Sequence, residues 1–145
     1  MRRIYSILVL LLAGLQGYGQ YILKKADLLY NQYKFADAIP LYERAYRQKI
    51  SLHAAERLGD SYRLNNNYQQ AEHWYGITVT LPGNRPQHRL YYAKALQSNG
   101  KFNEARQQYE AFAASDTTAN AALVRAWITS CDSARTGWRI PLIRR

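Results

Sequence analysis

Gly59-Asp60-Ser61-Tyr62-Arg63-Leu64-Asn65-Asn66-Asn67-Tyr68-Gln69-Gln70-Ala71-Glu72-His73-Trp74-Tyr75 decides the fold, because its chemical pattern occurs three times in the chain. A small residue opens each copy: Ala26, Gly59 and Ala93. Leu29, Tyr62 and Leu96 follow three positions later, Phe35, Tyr68 and Phe102 at nine, Ala38, Ala71 and Ala105 at twelve, and Tyr42, Tyr75 and Tyr109 at sixteen. Five columns held in one register over some thirty-three residues mark an internal repeat, which takes precedence over any reading of isolated segments.

The order small, apolar, turn, aromatic, small, aromatic predicts a helical hairpin. A first helix (A) carries Ala or Gly where a second helix (B) crosses closest, since a bulky side chain there would force the axes apart. Asn65-Asn66-Asn67 and Asn99-Gly100-Lys101 supply A-to-B turns from residues that tolerate left-handed backbone angles. In the first copy the turn is Asn31 to Lys34, with Tyr33 at the position where glycine is usual. The aromatic after each turn starts helix B, and Tyr42, Tyr75 and Tyr109 are expected to pack outward against the next copy's helix A. Pro82-Gly83 and Pro86 punctuate the junction between copies two and three. Beyond the third copy, Asp116, Thr117 and Thr118 offer N-caps for one further helix over residues 119–135. Trp127 and Cys131, four residues apart, are placed on its buried face, where it closes the stack. The fold class is therefore all-α, three stacked hairpins plus a C-terminal capping helix.

These columns resemble the tetratricopeptide repeat (TPR), over about residues 21–114. The resemblance implies a helical-hairpin solenoid with repeats near residues 20–50, 53–83 and 87–115. It also implies a concave groove lined by helix A side chains that packing leaves unused. By register these are Leu23, Asp27 and Tyr30, then Glu56, Asp60 and Arg63, then Leu90, Lys94 and Gln97. The expected partner-binding set is Asp27, Tyr30, Glu56, Asp60, Arg63, Lys94 and Gln97, a groove of mixed charge. Some TPR domains clamp a C-terminal carboxylate with Lys and Asn one turn apart on the first helix A. Leu23 and Asp27 stand at those positions, so that clamp is not expected.

The N-terminus obeys different physics. Arg2 and Arg3 precede an apolar run from Ile4 to Leu15, and Gly17-Tyr18-Gly19 places small residues at −3 and −1 before Gln20, the layout of a secretory signal peptide over residues 1–19. The run falls short of the roughly 20 residues that a spanning helix needs. Without Arg2 and Arg3 the net charge drops from +10 to +8, with acidic residues dispersed among the basic ones. Export makes nucleic acid an improbable partner, and the balance is read as a solvated mixed surface. The Arg-rich tail over residues 137–145 (Arg139, Arg144, Arg145) allows peripheral contact with anionic lipid. Cys131 is the sole cysteine, so no intramolecular disulfide can form. Tyrosine is prominent, 13 residues against 3 Phe and 3 Trp. Its ring buries area while its hydroxyl reaches a polar partner, which suits a thin structure.

The wording of the repeats is more specific than the general pattern. Lys24-Lys25-Ala26-Asp27, Leu58-Gly59-Asp60-Ser61-Tyr62, Ala71-Glu72-His73-Trp74-Tyr75-Gly76, Tyr91-Tyr92-Ala93-Lys94-Ala95-Leu96 and Ser130-Cys131-Asp132 resemble the N-terminal TPR region of Bacteroidota OmpA-like envelope proteins, some linked to type IX secretion. That resemblance implies a periplasmic or outer-membrane-associated scaffold that binds an envelope protein or peptide. Such proteins continue into a propeller-like segment and a peptidoglycan-gripping domain that this sequence does not contain, so peptidoglycan binding is not carried over. The alternative expectation is a truncated remnant of such a protein with no independent function.

Catalysis finds no support. His53, His73 and His88 sit in no HExxH or Cys-His cluster and are read as surface or interface residues. Cys131 lacks a neighbouring base, and no glycine-rich phosphate loop or paired-carboxylate pattern occurs. No enzyme activity, cofactor or metal is expected.

Overall fold

A computed structural model describes residues 19–116 and 119–136. Residues 1–18 of the expected signal peptide (1–19) and the Arg-rich tail over 137–145 lie outside the described residues. Seven helices occupy them: α1 (19–31), α2 (Phe35–Gln48), α3 (Leu52–Leu64), α4 (Tyr68–Thr78), α5 (Pro86–Ser98), α6 (Phe102–Ser115) and α7 (Ala121–Thr136). They pair as hairpins α1/α2, α3/α4 and α5/α6, with α7 laid on the last. From α2 to α7 the main contacts join helices adjacent in sequence, the arrangement of a solenoid.

The boundaries follow from local chemistry. Phe35, Tyr68 and Phe102 are the first residues of the three B helices. The preceding turns each contain one residue with positive φ at the same register: Tyr33 at 61°, Asn66 at 59° and Gly100 at 75°. Tyrosine thus adopts a left-handed conformation that costs an ordinary L-residue roughly 1–2 kcal/mol. Ser51 caps α3 by accepting from the Ala54 N–H, and Asn67 caps α4 by accepting from the Gln70 N–H. Pro86 opens α5, where a missing N–H is harmless. The cap of α7 differs from the expectation. It is Asn120, whose Oδ1 accepts from the Ala122 and Leu123 N–H groups at 3.0 and 3.1 Å; Thr117 and Thr118 lie outside the described residues. Asparagine's short amide reaches back to the first turn from immediately before it.

The core is built from the small and aromatic columns. Ala26, Ala38, Ala71, Ala93 and Ala105 are fully buried, as are Tyr42, Tyr75 and Tyr109. Gly59 has a specific cause: a Cβ there would lie 2.6 Å from Cδ1 and Cε1 of Tyr75. Polar clamps join adjacent repeats. The Tyr62 hydroxyl on α3 donates to Glu43 on α2 at 2.7 Å. Asn99 and Lys101 at the third turn donate to Glu72 on α4 at 2.7 and 2.6 Å. Cys131 is buried on α7, and burial, then Asp132, pushes its thiol pKa up, so it is a packing residue without thiolate character. Trp127 is only partly buried.

Candidate partner-binding groove

The three buried tyrosines of the B helices organise the concave face. Their rings reach the next helix in the stack, as the repeat register predicts: Tyr42 meets His53 on α3, Tyr75 meets Tyr91 on α5, and Tyr109 stacks on Trp127 of α7 with centroids 5.4 Å apart. Their hydroxyls point elsewhere, into the groove face of their own hairpin's helix A. Tyr42 donates to Asp27 Oδ1, Tyr75 to Asp60 Oδ1 and Tyr109 to Gln97 Oε1, each at 2.7 Å. Asp27 and Asp60 share a register at which the third repeat has Lys94, which cannot accept a hydrogen bond. Gln97, one turn further along α5, takes over as the acceptor.

The expected site residues fall into two groups. Asp60 is 8% exposed. Besides Tyr75 it receives the Tyr30 hydroxyl at 3.4 Å and lies 3.9 and 3.7 Å from the Arg57 and Arg63 guanidinium groups. Asp27 accepts from both Tyr42 and His53, each at 2.7 Å, tying α1 to α3. Glu56 pairs with Arg85 at 3.1 Å, and the buried His88 approaches it at 3.4 Å. These three carboxylates are engaged within the fold. Among the cations, Arg57 and Arg63 are partly exposed and Lys94 is exposed. Arg63 is partly exposed and donates through Nε to the Tyr75 hydroxyl at 3.1 Å. Lys94 is exposed, with its ammonium 5.0 Å from the centre of the partly buried Trp127 ring. Tyr30 lies half-buried beneath Arg57, whose guanidinium carbon is 4.4 Å from the ring centre. Gln97 also donates to Ser130 on α7 at 3.2 Å.

Two neighbouring positions differ from the expectation. Leu90 is buried in the α5–α7 core with Phe112, Val124 and Cys131, and does not line the groove. Leu23 is partly buried against the first core cluster. Both are apolar side chains that find a core within reach. His88 is fully buried between repeats and not at the surface; its Nδ1 accepts the Arg85 N–H at 2.9 Å and so serves the start of α5. The sequence reading also missed His53, Arg57 and Trp127. The signal was present for the first two: each lies one turn before an expected groove residue, Glu56 and Asp60 respectively. Trp127 required treating α7 as one more helix A.

Electrostatics favour neutral tyrosines. Burial, assisted by Asp27 for Tyr42 and by Asp60 for Tyr75, raises both phenol pKa values well above the ordinary range. Tyr30 is raised by burial and then by Asp60. Among the described residues no group of three or more His, Cys, Asp or Glu side chains could hold a metal ion.

The tetratricopeptide repeat family model matches residues 23–80. Comparison with curated proteins finds no match. Among solved structures the chain is similar to the Yersinia enterocolitica type III secretion chaperone SycD in complex with a peptide of the translocator YopD. The TM-score is 0.67 at 15% identity, over 78% of this chain and 91% of that one. It is similar to the second TPR domain of human RPAP3 in complex with the HSP70 peptide SGPTIEEVD, with TM-score 0.67, 16% identity and coverage of 79% and 98%. It is also similar to PcrH, a Pseudomonas aeruginosa protein, in complex with the chaperone binding region of PopD, with TM-score 0.67, 18% identity and coverage of 84% and 96%. The described chain thus has the tetratricopeptide-repeat fold, three hairpins and a capping helix, with the family's sequence pattern matched over its first two repeats.

Proposed function

We propose that this protein is a non-catalytic scaffold of a bacterial cell envelope that holds a partner protein or peptide in its concave groove. The observation that carries the reading is the pair of cations on aromatic supports, the partly exposed Arg57 on Tyr30 and the exposed Lys94 on Trp127. They are presented on a face whose carboxylates are already engaged. Side chains fixed by packing on rigid helices lose less entropy when a ligand docks. Peptides and a partner's binding region occur in the complexes of the similar structures, which supports a protein ligand. The envelope location rests on the leader layout and on the OmpA-like wording of the repeats.

The test is recovery of partners from envelope extract by the protein and by Lys94→Glu. Charge reversal at Asp60 would be uninformative, since that carboxylate holds Tyr75 and its loss would perturb the fold. Lys94 is exposed, so its reversal leaves the stack intact. Partners specific to the groove drop out with Lys94→Glu, and identical recovery by both forms removes the groove from recognition.

A further inference from the structure

One face of the stack departs from its own register. In repeats two and three, the side of helix A that meets the preceding hairpin carries Ala54, Leu58 and Ser61, then His88 and Ala95, all buried. The positions on α1 corresponding to Ala54, Leu58 and Ser61 hold Tyr21, Lys25 and Leu28, with Lys24 alongside. Tyr21 is 63% and Leu28 57% exposed. Their spacing of three, four and seven residues makes a single stripe along the helix. Beyond its end, Tyr33 is 82% exposed at the positive-φ turn position that Asn66 and Gly100 fill elsewhere. Apart from an edge contact with Phe35, the fold gains little from that ring, and the backbone there favours another residue.

The stripe is also basic. Lys24, Lys25 and Lys34 are exposed, and none forms an ion pair with a carboxylate among the described residues. The only acid on α1, Asp27, is turned to the groove by Tyr42 and His53. Asp37, in the first turn of α2, is the nearest other carboxylate in sequence. A terminal repeat that meets only water is expected to present a polar outer face. Large apolar side chains interleaved with unanswered lysines suit a different neighbour.

We propose that the outer face of α1, with Tyr33 and Lys34, binds the surface of an anionic lipid bilayer. The ammonium groups meet acidic headgroups, the tyrosines sit at headgroup level with ring inward and hydroxyl outward, and Leu28 enters the acyl boundary. A second copy of the chain fits less well. A two-fold contact would set Lys24 and Lys25 against their own equivalents, with no acid on the stripe to answer them. The groove occupies another side of α1, so membrane and partner can be held together.

The experiment is co-sedimentation with phosphatidylcholine vesicles, with and without phosphatidylglycerol. All variants share one N-terminus, so Ile4 to Leu15 contributes equally to each. Binding is expected to rise with phosphatidylglycerol and fall with salt. Lys24→Ala/Lys25→Ala weakens it about thirtyfold, roughly fivefold per lysine, and Leu28→Ser about fivefold. Tyr33→Gly weakens binding while raising the urea midpoint, which separates the surface role from any role in folding. Arg125→Ala on the exposed side of α7 leaves binding unchanged. Undiminished binding by the double lysine variant, or an equal loss from Arg125→Ala, overturns the proposal. So does light scattering that shows a dimer dissociated by Leu28→Ser.

Discussion

Gly59→Ala places a methyl group where the ring of Tyr75 already lies, 2.6 Å from two of its carbons. The ring has little room to withdraw. Its hydroxyl is held at 2.7 Å by Asp60 and at 3.1 Å by Arg63, and the Tyr91 ring lies 5.7 Å away, centroid to centroid. Overpacking of this kind costs about 1–3 kcal/mol. Shifting the phenol off a charged acceptor adds about 1 kcal/mol or more. Against this, alanine in place of a mid-helix glycine returns about 1 kcal/mol of helix preference. The net expectation is destabilisation by about 2 kcal/mol, read as a lower urea midpoint with unchanged slope in far-ultraviolet circular dichroism. The decisive comparison repeats the substitution in a Tyr75→Leu background, where the flat ring is gone. There Gly59→Ala should be neutral or stabilising by up to about 1 kcal/mol, giving a coupling of roughly 2–3 kcal/mol. A single variant as stable as the parent, or a cycle without coupling, would refute the claim that helix A carries glycine here because the tyrosine column requires it.

The tyrosine hydroxyls should differ in worth by the charge of their acceptors. Tyr75→Phe leaves a nearly buried carboxylate short of its best donor and should cost about 2 kcal/mol, whereas Tyr109→Phe frees a neutral amide and should cost about 1 kcal/mol, both by urea titration. Alkaline stability follows from the same groups. Tyr62 is pushed up to about 12, by burial and then by Glu43, from an ordinary value of 10.0. The protonated phenol is favoured in the folded state, so its contribution stands in full below about pH 10 and is lost as pH climbs towards 12. Tyr42, Tyr75 and Tyr109 extend the loss higher, and tyrosinate absorbance should show these four titrating only as the chain unfolds. Early titration of all thirteen tyrosines in folded protein would contradict it. Ser61 Oγ is buried with no hydrogen-bond partner among the described residues, so Ser61→Ala should be neutral or stabilising by up to about 1 kcal/mol, and a clear loss of midpoint would show that it has a partner after all.

The fold was legible because the determining contacts repeat. Ala38, Ala71 and Ala105 are small for one shared reason, and three instances at one register outweigh a weak signal such as Tyr33 in a glycine turn. Asn120 was harder to read, because Asp116, Thr117 and Thr118 are equally good caps and only the path of the chain selects among them. Leu90 went astray because register assigns a face but not the depth of that face. At α5 Leu90 joins the core cluster shared with α6 and α7, while Leu23 on α1 stays partly open.

The candidate site was less legible for a physical reason peculiar to thin solenoids. A buried tyrosine on helix B is long enough to cross its hairpin and emerge at the groove, so the floor of the site and the top of the core are the same atoms. Asp27 and Asp60 read in sequence as free groove acids, yet both are the far ends of core hydrogen bonds. The sequence shows which side chains face the groove, whereas their availability depends on a phenol arriving from another helix fifteen residues later. The third repeat makes the point by exception. With lysine where Asp60 would stand, Tyr109 turns to Gln97, and the displaced cation settles over Trp127 and stays accessible. One exchange at one register therefore converts a structural acid into an exposed cation, and it is at Lys94, where the repeat breaks its own rule, that groove and fold can be perturbed separately.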